Sequence, residues 1–302
     1  MSTPRPFRFG VVAAQAHSAE EWVAGARRAE SLGYSTLLIP DTLGPTFSPM
    51  PALAVAAAAT RSLRLGTYVL ANDFRNPVSL ARECAALDFL SGGRFELGLG
   101  AGRPTAGEDY RKLGIPLEPG GVRVERLAEA LSIVKALLGG ERVSATGPHY
   151  RAQGADVFPH PVQEPRPPIL VAASGKRLLS LAAREADIVA LAGYPTESQH
   201  GIGEKTSWLR RAAGDRFSEL EININLLAAA QEEELARWVS ARLGFDVAEL
   251  VRSGSPFVLM GAPDEMCEQL LERRETLGAS YVTVPDYLTE AFAPVVERLA
   301  GR

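Results

Sequence analysis

The chain has 302 residues, of which 46% are hydrophobic and 23% are charged. This composition is typical of a folded globular protein and excludes a disordered, collagen-like or coiled-coil chain. The 32 basic and 36 acidic residues give a net charge of −4, and they form no long run of one sign. Composition therefore favours neither a nucleic-acid partner nor an anionic membrane, and we expect a small-molecule substrate.

The cysteines and histidines carry no disulfide or metal pattern. Cys84 and Cys267 lie far apart without a CxxC motif, and the four histidines form no HExxH motif. We therefore expect neither a disulfide framework nor a metal site. The first residues lack the apolar stretch of a signal peptide, and no apolar run approaches the roughly 20 residues that span a bilayer. These absences predict a cytoplasmic protein without a membrane partner.

Short β-rich segments alternate along the chain with segments of helical period. The eight predicted strands cover residues 7–14, 35–41, 63–71, 94–100, 169–173, 188–192, 220–228 and 280–285. Strands that alternate with helices pair in parallel through right-handed crossovers. Eight such units predict an α/β fold, a single (β/α)8 TIM barrel over residues 1–302, with its site at the carboxyl ends of the strands.

Helix boundaries are readable at several points. Ser18 is a predicted N-cap with Glu21 as its capping-box partner, and Gly92 with Gly93 ends a helix before the fourth strand. Two segments depart from a plain barrel. Residues 103–168 contain a predicted helix at 123–138 and a hairpin that pairs 143–145 with 149–151, and residues 193–260 contain a predicted helix near 232–243. We expect these insertions at the catalytic face, where barrels carry their long loops.

The most informative motif is the string LDFLSGGRFELGLGAG at residues 87–102. Gly100 and Gly102 allow the backbone to approach a planar or anionic group closely. A Rossmann fingerprint is disfavoured because the third glycine comes one residue early, the expected helix is interrupted, and no acidic residue ends a strand about 20 residues on. The alternative interpretation is that the glycines only form a tight turn at the strand end.

This string resembles the hallmark of the bacterial luciferase-like monooxygenase superfamily, LDxLSxGRxxLGxGxG. The resemblance extends over nearly the whole chain, through GYSTLLIPD at 33–41, LGTYVLAN at 65–72, NP at 76–77 and PILVAASG at 168–175. It implies a barrel that binds reduced FMN or the deazaflavin coenzyme F420 at the carboxyl ends of its strands. The chain is most similar to the F420-dependent branch.

The resemblance also implies roles for residues at the ends of the second and fourth strands. Asp41 matches an acid that approaches the polar edge of the deazaflavin ring; the alternative is an N-cap or turn acid before residues 42–44. Many relatives place a histidine after this acid, but here the residue is Thr42, so no histidine acid/base is expected at this position. Arg103 is the second predicted catalytic residue, facing substrate, and its alternative is a rim pair with Glu108 or Asp109.

The remaining coenzyme residues are likewise implied by the resemblance. A bulge in the third strand is expected to press on the ring, with a non-proline cis peptide between Tyr68 and Val69. The turn after the fifth strand is expected to bind phosphate through backbone N–H groups at a helix N-terminus, unless it is an ordinary turn with solvated basic residues. The predicted coenzyme-binding set is Asp41, Tyr68, Val69, Ala71, Asn72, Gly100, Ala101, Gly102, Ala173, Ser174, Gly175, Lys176 and Arg177.

Side chains of the predicted mouth loops form the candidate substrate pocket. They are His17, Thr42, Phe47, Arg103 and Tyr194. A lone loop histidine is more often solvated, and the aromatic residues are as often plain packing, so these alternatives stay open.

The sequence thus predicts an F420-dependent oxidoreductase that moves a hydride between the deazaflavin and a C=C, C=N or alcohol carbon of a small substrate. One alternative is an FMN-dependent monooxygenase of the same superfamily, and another is a non-catalytic barrel that binds a flavin or small molecule. The resemblance also implies a homodimer.

Overall fold

The computed structural model describes residues 4–230, 240–241 and 246–302. The helix predicted near 232–243 lies largely outside the described residues. The chain divides into two compact units. Unit 1 comprises Met1–Ala13, Arg28–Thr36 and Ala173–Arg302, and unit 2 comprises Ala14–Arg27 and Leu37–Ala172. That residues 1–302 form a single domain stays a prediction.

The described strands coincide with the predicted β-rich segments and hairpin, except for one strand at Val258–Met260 that was not predicted. They are β1 (Arg8–Val12), β2 (Thr36–Ile39), β3 (Arg64–Thr67), β4 (Leu70–Ala71), β5 (Phe95–Gly100), β6 (Val143–Thr146), β7 (Arg151–Ala155), β8 (Ile169–Ala173), β9 (Ile188–Leu191), β10 (Glu221–Asn225), β11 (Ala228–Ala230), β12 (Val258–Met260) and β13 (Ala279–Pro285). Nine of them form one sheet in the spatial order β3-β2-β1-β13-β10-β9-β8-β5-β4, and β3 also pairs with β5. Because β3 and β4 are successive pieces of one interrupted strand, this order passes through eight positions and closes on itself. The fold is the predicted parallel TIM barrel.

Helices connect the strands. The described α-helices are α1 (Ala19–Ser31), α2 (Pro49–Ala59), α3 (Pro77–Ser91), α4 (Gly107–Leu113), α5 (Gly120–Leu138), α6 (Lys176–Glu185), α7 (Gln199–Ala213), α8 (Val247–Arg252), α9 (Pro263–Leu277) and α10 (Thr289–Leu299). None of the helices in this described part combines the length and hydropathy needed to cross a membrane.

The predicted helix caps form with one difference. The Ser18 hydroxyl accepts from the Glu21 N–H at 3.1 Å, as an N-cap does. The Glu21 carboxylate accepts from the N–H of His17 at 2.6 Å, one residue before the cap, so the reciprocal half of the capping box is displaced. Helix α3 ends as predicted, at Gly92 with a φ of 68° in the left-handed region, which glycine adopts without a steric penalty.

In unit 2, strand β5 is buried at all six of its residues, as expected for a parallel strand covered on both faces. Its glycines let β3 approach. A Cβ on Gly98 would lie 1.9 Å from the Thr67 carbonyl oxygen, and the Thr67 hydroxyl exchanges hydrogen bonds with the Gly98 backbone at 2.8 and 2.9 Å. The glycine spacing of the motif is therefore required by the packing of adjacent strands.

The predicted hairpin of unit 2 is confirmed, with its second strand starting two residues later than expected. Strands β6 and β7 pair antiparallel, with Val143 opposite Ala155 and Thr146 opposite Arg151. The N–H groups of His149 and Tyr150 leave the ladder because they donate to the carboxylate of Glu129 on α5 at 3.0 and 2.8 Å. A side-chain acceptor on a neighbouring helix thus displaces the start of this strand from His149 to Arg151.

In unit 1, β13 pairs in parallel with both β1 and β10. The single strand predicted at 220–228 is divided into β10 and β11, and β11 pairs with β12 in a separate two-stranded parallel sheet. At the amino-terminal ends of β1 and β10, Arg8 and Glu221 form an ion pair of 2.6 Å. These contacts stabilise the barrel strands of this unit.

Candidate functional site

Asp41 follows β2 in unit 2 and has a nearly buried side chain, 6% exposed. One carboxylate oxygen, Oδ2, accepts from the Arg75 guanidinium at 2.6 Å and from the Ala71 N–H at 3.0 Å, while Oδ1 accepts from Arg75 at 3.1 Å. The expected alternative, a cap on residues 42–44, is not the arrangement observed. Asp41 instead ties the end of β2 to the end of β4.

The predicted bulge interrupts the third strand between β3 and β4. The Tyr68–Val69 peptide is cis, as expected from the resemblance, and the Tyr68 N–H donates to the Ile39 carbonyl at 2.7 Å. A Cβ on Gly100 would lie 2.8 Å from Cγ2 of Val69. The motif glycine in β5 therefore makes room for the Val69 side chain.

Behind Gly102, side chains of α4 and α5 hold the turn after β5. Arg123 is 6% exposed, and its guanidinium donates to the carbonyls of Ala101 and Gly102 at 2.8 and 2.6 Å. A Cβ on Gly102, whose φ is 78°, would lie 2.3 Å from the Tyr110 hydroxyl. Only glycine fits this position without displacing its neighbours.

The segment after β4 is bound from several sides. Asn72, 2% exposed, donates from Nδ2 to the Tyr150 hydroxyl at 3.0 Å. The next residue, Asp73, accepts from the Tyr110 hydroxyl at 2.9 Å and pairs with Arg126 at 3.1 Å. Burial and the negative charge of Asp73 raise the pKa of Tyr110 to about 12. The Tyr110 hydroxyl therefore remains a donor at neutral pH.

Arg103 lies at the rim of this unit, with 63% of its side chain exposed. Its nearest acidic partner is Asp109, whose carboxylate oxygen lies 3.8 Å from the guanidinium. At this distance an exposed pair contributes little. The guanidinium is thus available to an anionic or carbonyl group, and its substrate role stays a prediction.

The candidate pocket residues of unit 2 occupy the loops after β1 and β2. Thr42 and Thr46 place their hydroxyls 3.3 Å apart. Phe47 packs edge-on against Trp22 with ring centroids 5.3 Å apart, which favours the packing alternative for one of its faces. His17 is exposed.

In unit 1, the turn after β8 is open to solvent. Ala173 is buried, whereas Ser174, Gly175, Lys176 and Arg177 are exposed. Gly175 is the N-cap of α6 and supplies no side-chain acceptor, and a Cβ built there meets nothing within 4 Å. Helix N-termini of this kind present N–H donors and partial positive charge to an anion.

The basic residues beside this turn differ in their surroundings. The Lys176 ammonium lies 4.6 Å from the centre of the Trp208 ring, so Trp208 packs under a lysine of the turn. Lys205, on α7, donates to the Ser174 hydroxyl at 3.0 Å, to the Ala192 carbonyl at 3.0 Å and to Glu197 at 2.7 Å. Tyr194 lies nearby in sequence and is 79% exposed.

The described residues contain no group of three His, Cys, Asp or Glu side chains that could hold a metal. Cys84 and Cys267 are both free thiols and buried. Burial raises the pKa of the Cys84 thiol well above its ordinary value, which disfavours the reactive thiolate form.

A sequence model described as the luciferase-like monooxygenase family matches residues 5–278. The chain belongs to this family. Two curated relatives of this luciferase-like chain are the F420-dependent glucose-6-phosphate dehydrogenase of Beutenbergia cavernae and the F420-dependent hydroxymycolic acid dehydrogenase of Mycobacterium tuberculosis. The first is 35% identical over 53% of this chain and 48% of the relative, and the second is 32% identical over 61% and 53%. The matched regions thus span about half the length of each of these relatives.

Solved structures of other proteins share the fold of this luciferase-like chain. The F420-dependent tetrahydromethanopterin reductase of Methanopyrus kandleri superposes with a TM-score of 0.79 at 19% identity, covering 98% of this chain and 99% of that one. A monooxygenase of Streptomyces bottropensis superposes with a TM-score of 0.78 at 24% identity, covering 97% of each chain. At these identities the likeness establishes the barrel alone.

Sequence reasoning did not find the residues that hold the candidate site in place. Arg75, Arg123, Tyr150 and Lys205 each bond to a predicted site residue or to its backbone. Only Arg75 had a sequence signal, because it follows Asn72 closely and precedes the Asn76-Pro77 helix start. Arg123, Tyr150 and Lys205 bond to residues 22, 78 and 31 positions away, and no local sequence pattern predicts these contacts.

Proposed function

We propose that this luciferase-like chain uses coenzyme F420 to move a hydride to or from a small organic substrate. The observation that carries the proposal is its sequence likeness to curated F420-dependent dehydrogenases at 32–35% identity. The substrate carbon would belong to a C=C, C=N or alcohol group. The mouth loops determine the individual substrate, and they contain no motif that identifies it.

The described residues fit such a coenzyme in two places. In unit 2, Asp41, Val69, Asn72 and Gly100 are held by hydrogen bonds and close packing, as suits residues that line a planar ring. In unit 1, the uncapped turn at Gly175 leaves open space that a side chain would fill, as suits a phosphate group. We propose that the first of these places binds a deazaflavin ring and that the second binds a phosphate group.

The bound deazaflavin supplies a two-electron hydride donor or acceptor at its ring carbon C5. The protein supplies position and electrostatics. The Asp41 carboxylate accepts hydrogen bonds from Arg75 and from the Ala71 N–H. It therefore holds the backbone at the end of β4 and is poorly placed to exchange a proton. The loop after β2 offers hydroxyls at Thr42 and Thr46 but no histidine, which suits reactions that need no acid/base from this loop.

Arg103 and the loop residues His17, Thr42, Phe47 and Tyr194 complete the proposal as substrate-facing groups. Arg103 would orient an anionic or carbonyl substrate, since its guanidinium is exposed and only weakly paired. Tyr194, exposed at 79%, would cover apolar parts of the substrate.

The test is titration of purified protein with oxidised F420 and, in parallel, with FMN, followed by turnover with a panel of enones, imines and alcohols. We expect tighter binding of F420 and hydride transfer to at least one substrate class. Equal or tighter binding of FMN would favour the FMN-dependent monooxygenase. Coenzyme binding without turnover on any class would favour a non-catalytic barrel.

We further propose a cytoplasmic homodimer. Helices α2 and α3 of unit 2 expose the apolar side chains of Val55, Phe89 and Leu90 at 47%, 54% and 73%, and a second copy would cover them. Free, buried Cys84 and Cys267 suit a reducing compartment. Light scattering at micromolar concentration should give twice the monomer mass, and Leu90→Asp should reduce it to the monomer value.

A further inference from the structure

The β6–β7 hairpin of unit 2 is held against α5 at its tip. The Glu129 carboxylate accepts from the N–H groups of His149 and Tyr150 at 3.0 and 2.8 Å. A Cβ on Gly147 would lie 1.8 Å from Glu129 Oε1, so the glycine lets the tip approach this carboxylate closely. The hairpin is therefore docked by a charged acceptor at one defined place.

The consequence of this docking is the position of the Tyr150 hydroxyl. It accepts from Nδ2 of Asn72 at 3.0 Å. Burial raises the pKa of Tyr150, so the hydroxyl stays neutral. A carboxamide presents a donor at one end and an acceptor at the other. The bond to Tyr150 therefore holds one end of the buried Asn72 carboxamide in place and leaves its other end to other partners.

One face of helix α5 contacts the segment after β4, the turn after β5 and the hairpin tip. Arg123, Arg126 and Glu129 are spaced at i, i+3 and i+6, and such positions share one side of a helix. Arg123 bonds the carbonyls of Ala101 and Gly102, Arg126 pairs with Asp73, and Glu129 holds the hairpin tip. The polar face of α5 thus connects the hairpin, the β4 exit and the β5 turn.

We propose that Tyr150, held in place by Glu129, is a positioning residue that orients the Asn72 carboxamide for the coenzyme ring. This inference rests on the proposed function, because Asn72 is there assigned to the ring site. It gives the hairpin, which is an addition to the plain barrel, a role in coenzyme binding.

The experiment measures the dissociation constant of F420 by absorbance titration for the wild type, Tyr150→Phe, Asn72→Ala and the double variant. Loss of one hydrogen bond predicts a three- to tenfold weaker dissociation constant for Tyr150→Phe, on the order of a net hydrogen bond. In the Asn72→Ala background the same change should have less than about a twofold effect, because the two residues act as a unit. Glu129→Ala should reproduce the loss, whereas Glu129→Gln, which keeps an acceptor oxygen, should restore part of it.

Tyr34→Phe is the matched control. Tyr34 lies in unit 1, is 3% exposed, and donates from its hydroxyl to the Thr289 carbonyl at 2.9 Å. The Tyr34→Phe variant therefore also loses one buried tyrosine hydrogen bond. We expect it to change the melting temperature about as much as Tyr150→Phe and to leave coenzyme affinity and the absorption maximum of the bound coenzyme unchanged.

An unchanged dissociation constant for Tyr150→Phe, or an equal loss in both Asn72 backgrounds, would overturn the positioning role while leaving the proposed function intact. A wild type that binds neither F420 nor FMN would overturn both proposals.

Discussion

The candidate site in unit 2 and the candidate site in unit 1 differ in how completely their polar groups are paired within the protein. Around Asp41 in unit 2, a nearly buried carboxylate is fully engaged by Arg75 and the Ala71 N–H. Around Gly175 in unit 1, the turn is exposed, the helix has no side-chain cap, and a Cβ would meet open space. The polar groups of the first region are paired within the protein, whereas the turn of the second region presents N–H donors without a side-chain acceptor. A ring that must be aligned for hydride transfer suits the first, and a phosphate suits the second.

The largest expected effect comes from disrupting the region around Asp41, here called the closed region because its polar groups are paired within the protein. Asp41→Ala removes one partner of a largely buried ion pair and leaves Arg75 without its carboxylate. We expect a loss of about 3 kcal/mol in the free energy of unfolding, measured by urea denaturation, together with weaker coenzyme binding per folded molecule. The exposed pair between Arg28 and Glu290, at 53% and 64% exposure, is the control, and Glu290→Ala should change stability little. Equal losses in the two variants would contradict the comparison.

A second variant tests the backbone contact between strands β3 and β5 in unit 2. Gly98→Ala would place a Cβ 1.9 Å from the Thr67 carbonyl, and neither strand can move without losing the bonds between them. We expect destabilisation of about 1–3 kcal/mol, seen as a lower melting temperature. Gly107→Ala is the matched control, because its Cβ meets nothing within 4 Å. If both alanine variants melted together, β3 and β5 would not be as closely apposed as described.

In the exposed region around Gly175, here called the open region, we expect one substitution to maintain or raise the melting temperature and to lower the affinity for F420. Gly175→Asp supplies the missing cap to α6, so the melting temperature should stay level or rise slightly. The new carboxylate repels a phosphate at the same turn, and we expect F420 affinity to fall at least about tenfold. Gly175→Asn caps without charge and should bind better than the aspartate variant. Unchanged affinity in the aspartate variant would remove the phosphate from this turn.

The smallest expected effect concerns the exposed rim of unit 2. Arg103→Ala loses only a 3.8 Å contact with Asp109, so stability should change by less than about 0.5 kcal/mol. The KM for an anionic substrate should rise severalfold while the dissociation constant of the coenzyme holds. The reverse pattern would assign Arg103 to the coenzyme instead.

Local pattern and resemblance predicted different parts of the molecule. Strands β5 and β8 and the end of α3 follow from buried apolar runs and from Gly92, because such signals act within a few residues. The cis bond after Tyr68 came only from the resemblance, since nothing in the composition of that strand announces it. The hairpin was expected, but its second strand begins at Arg151 because Glu129 withdraws two N–H groups from the ladder.

The sequence by itself determined the alternation of strands and helices, the glycines of the 87–102 string and hence the barrel, because hydrophobic period and backbone freedom are local properties. Only the tertiary structure decided which side chains bond to the candidate site. Asp41 meets Arg75 34 positions on, Asn72 meets Tyr150 78 positions on, and Ser174 meets Lys205 31 positions on. Hydrogen bonds and ion pairs depend on separations of about 3 Å, and distances of that order between remote segments exist only once the strands have closed and the helices have packed.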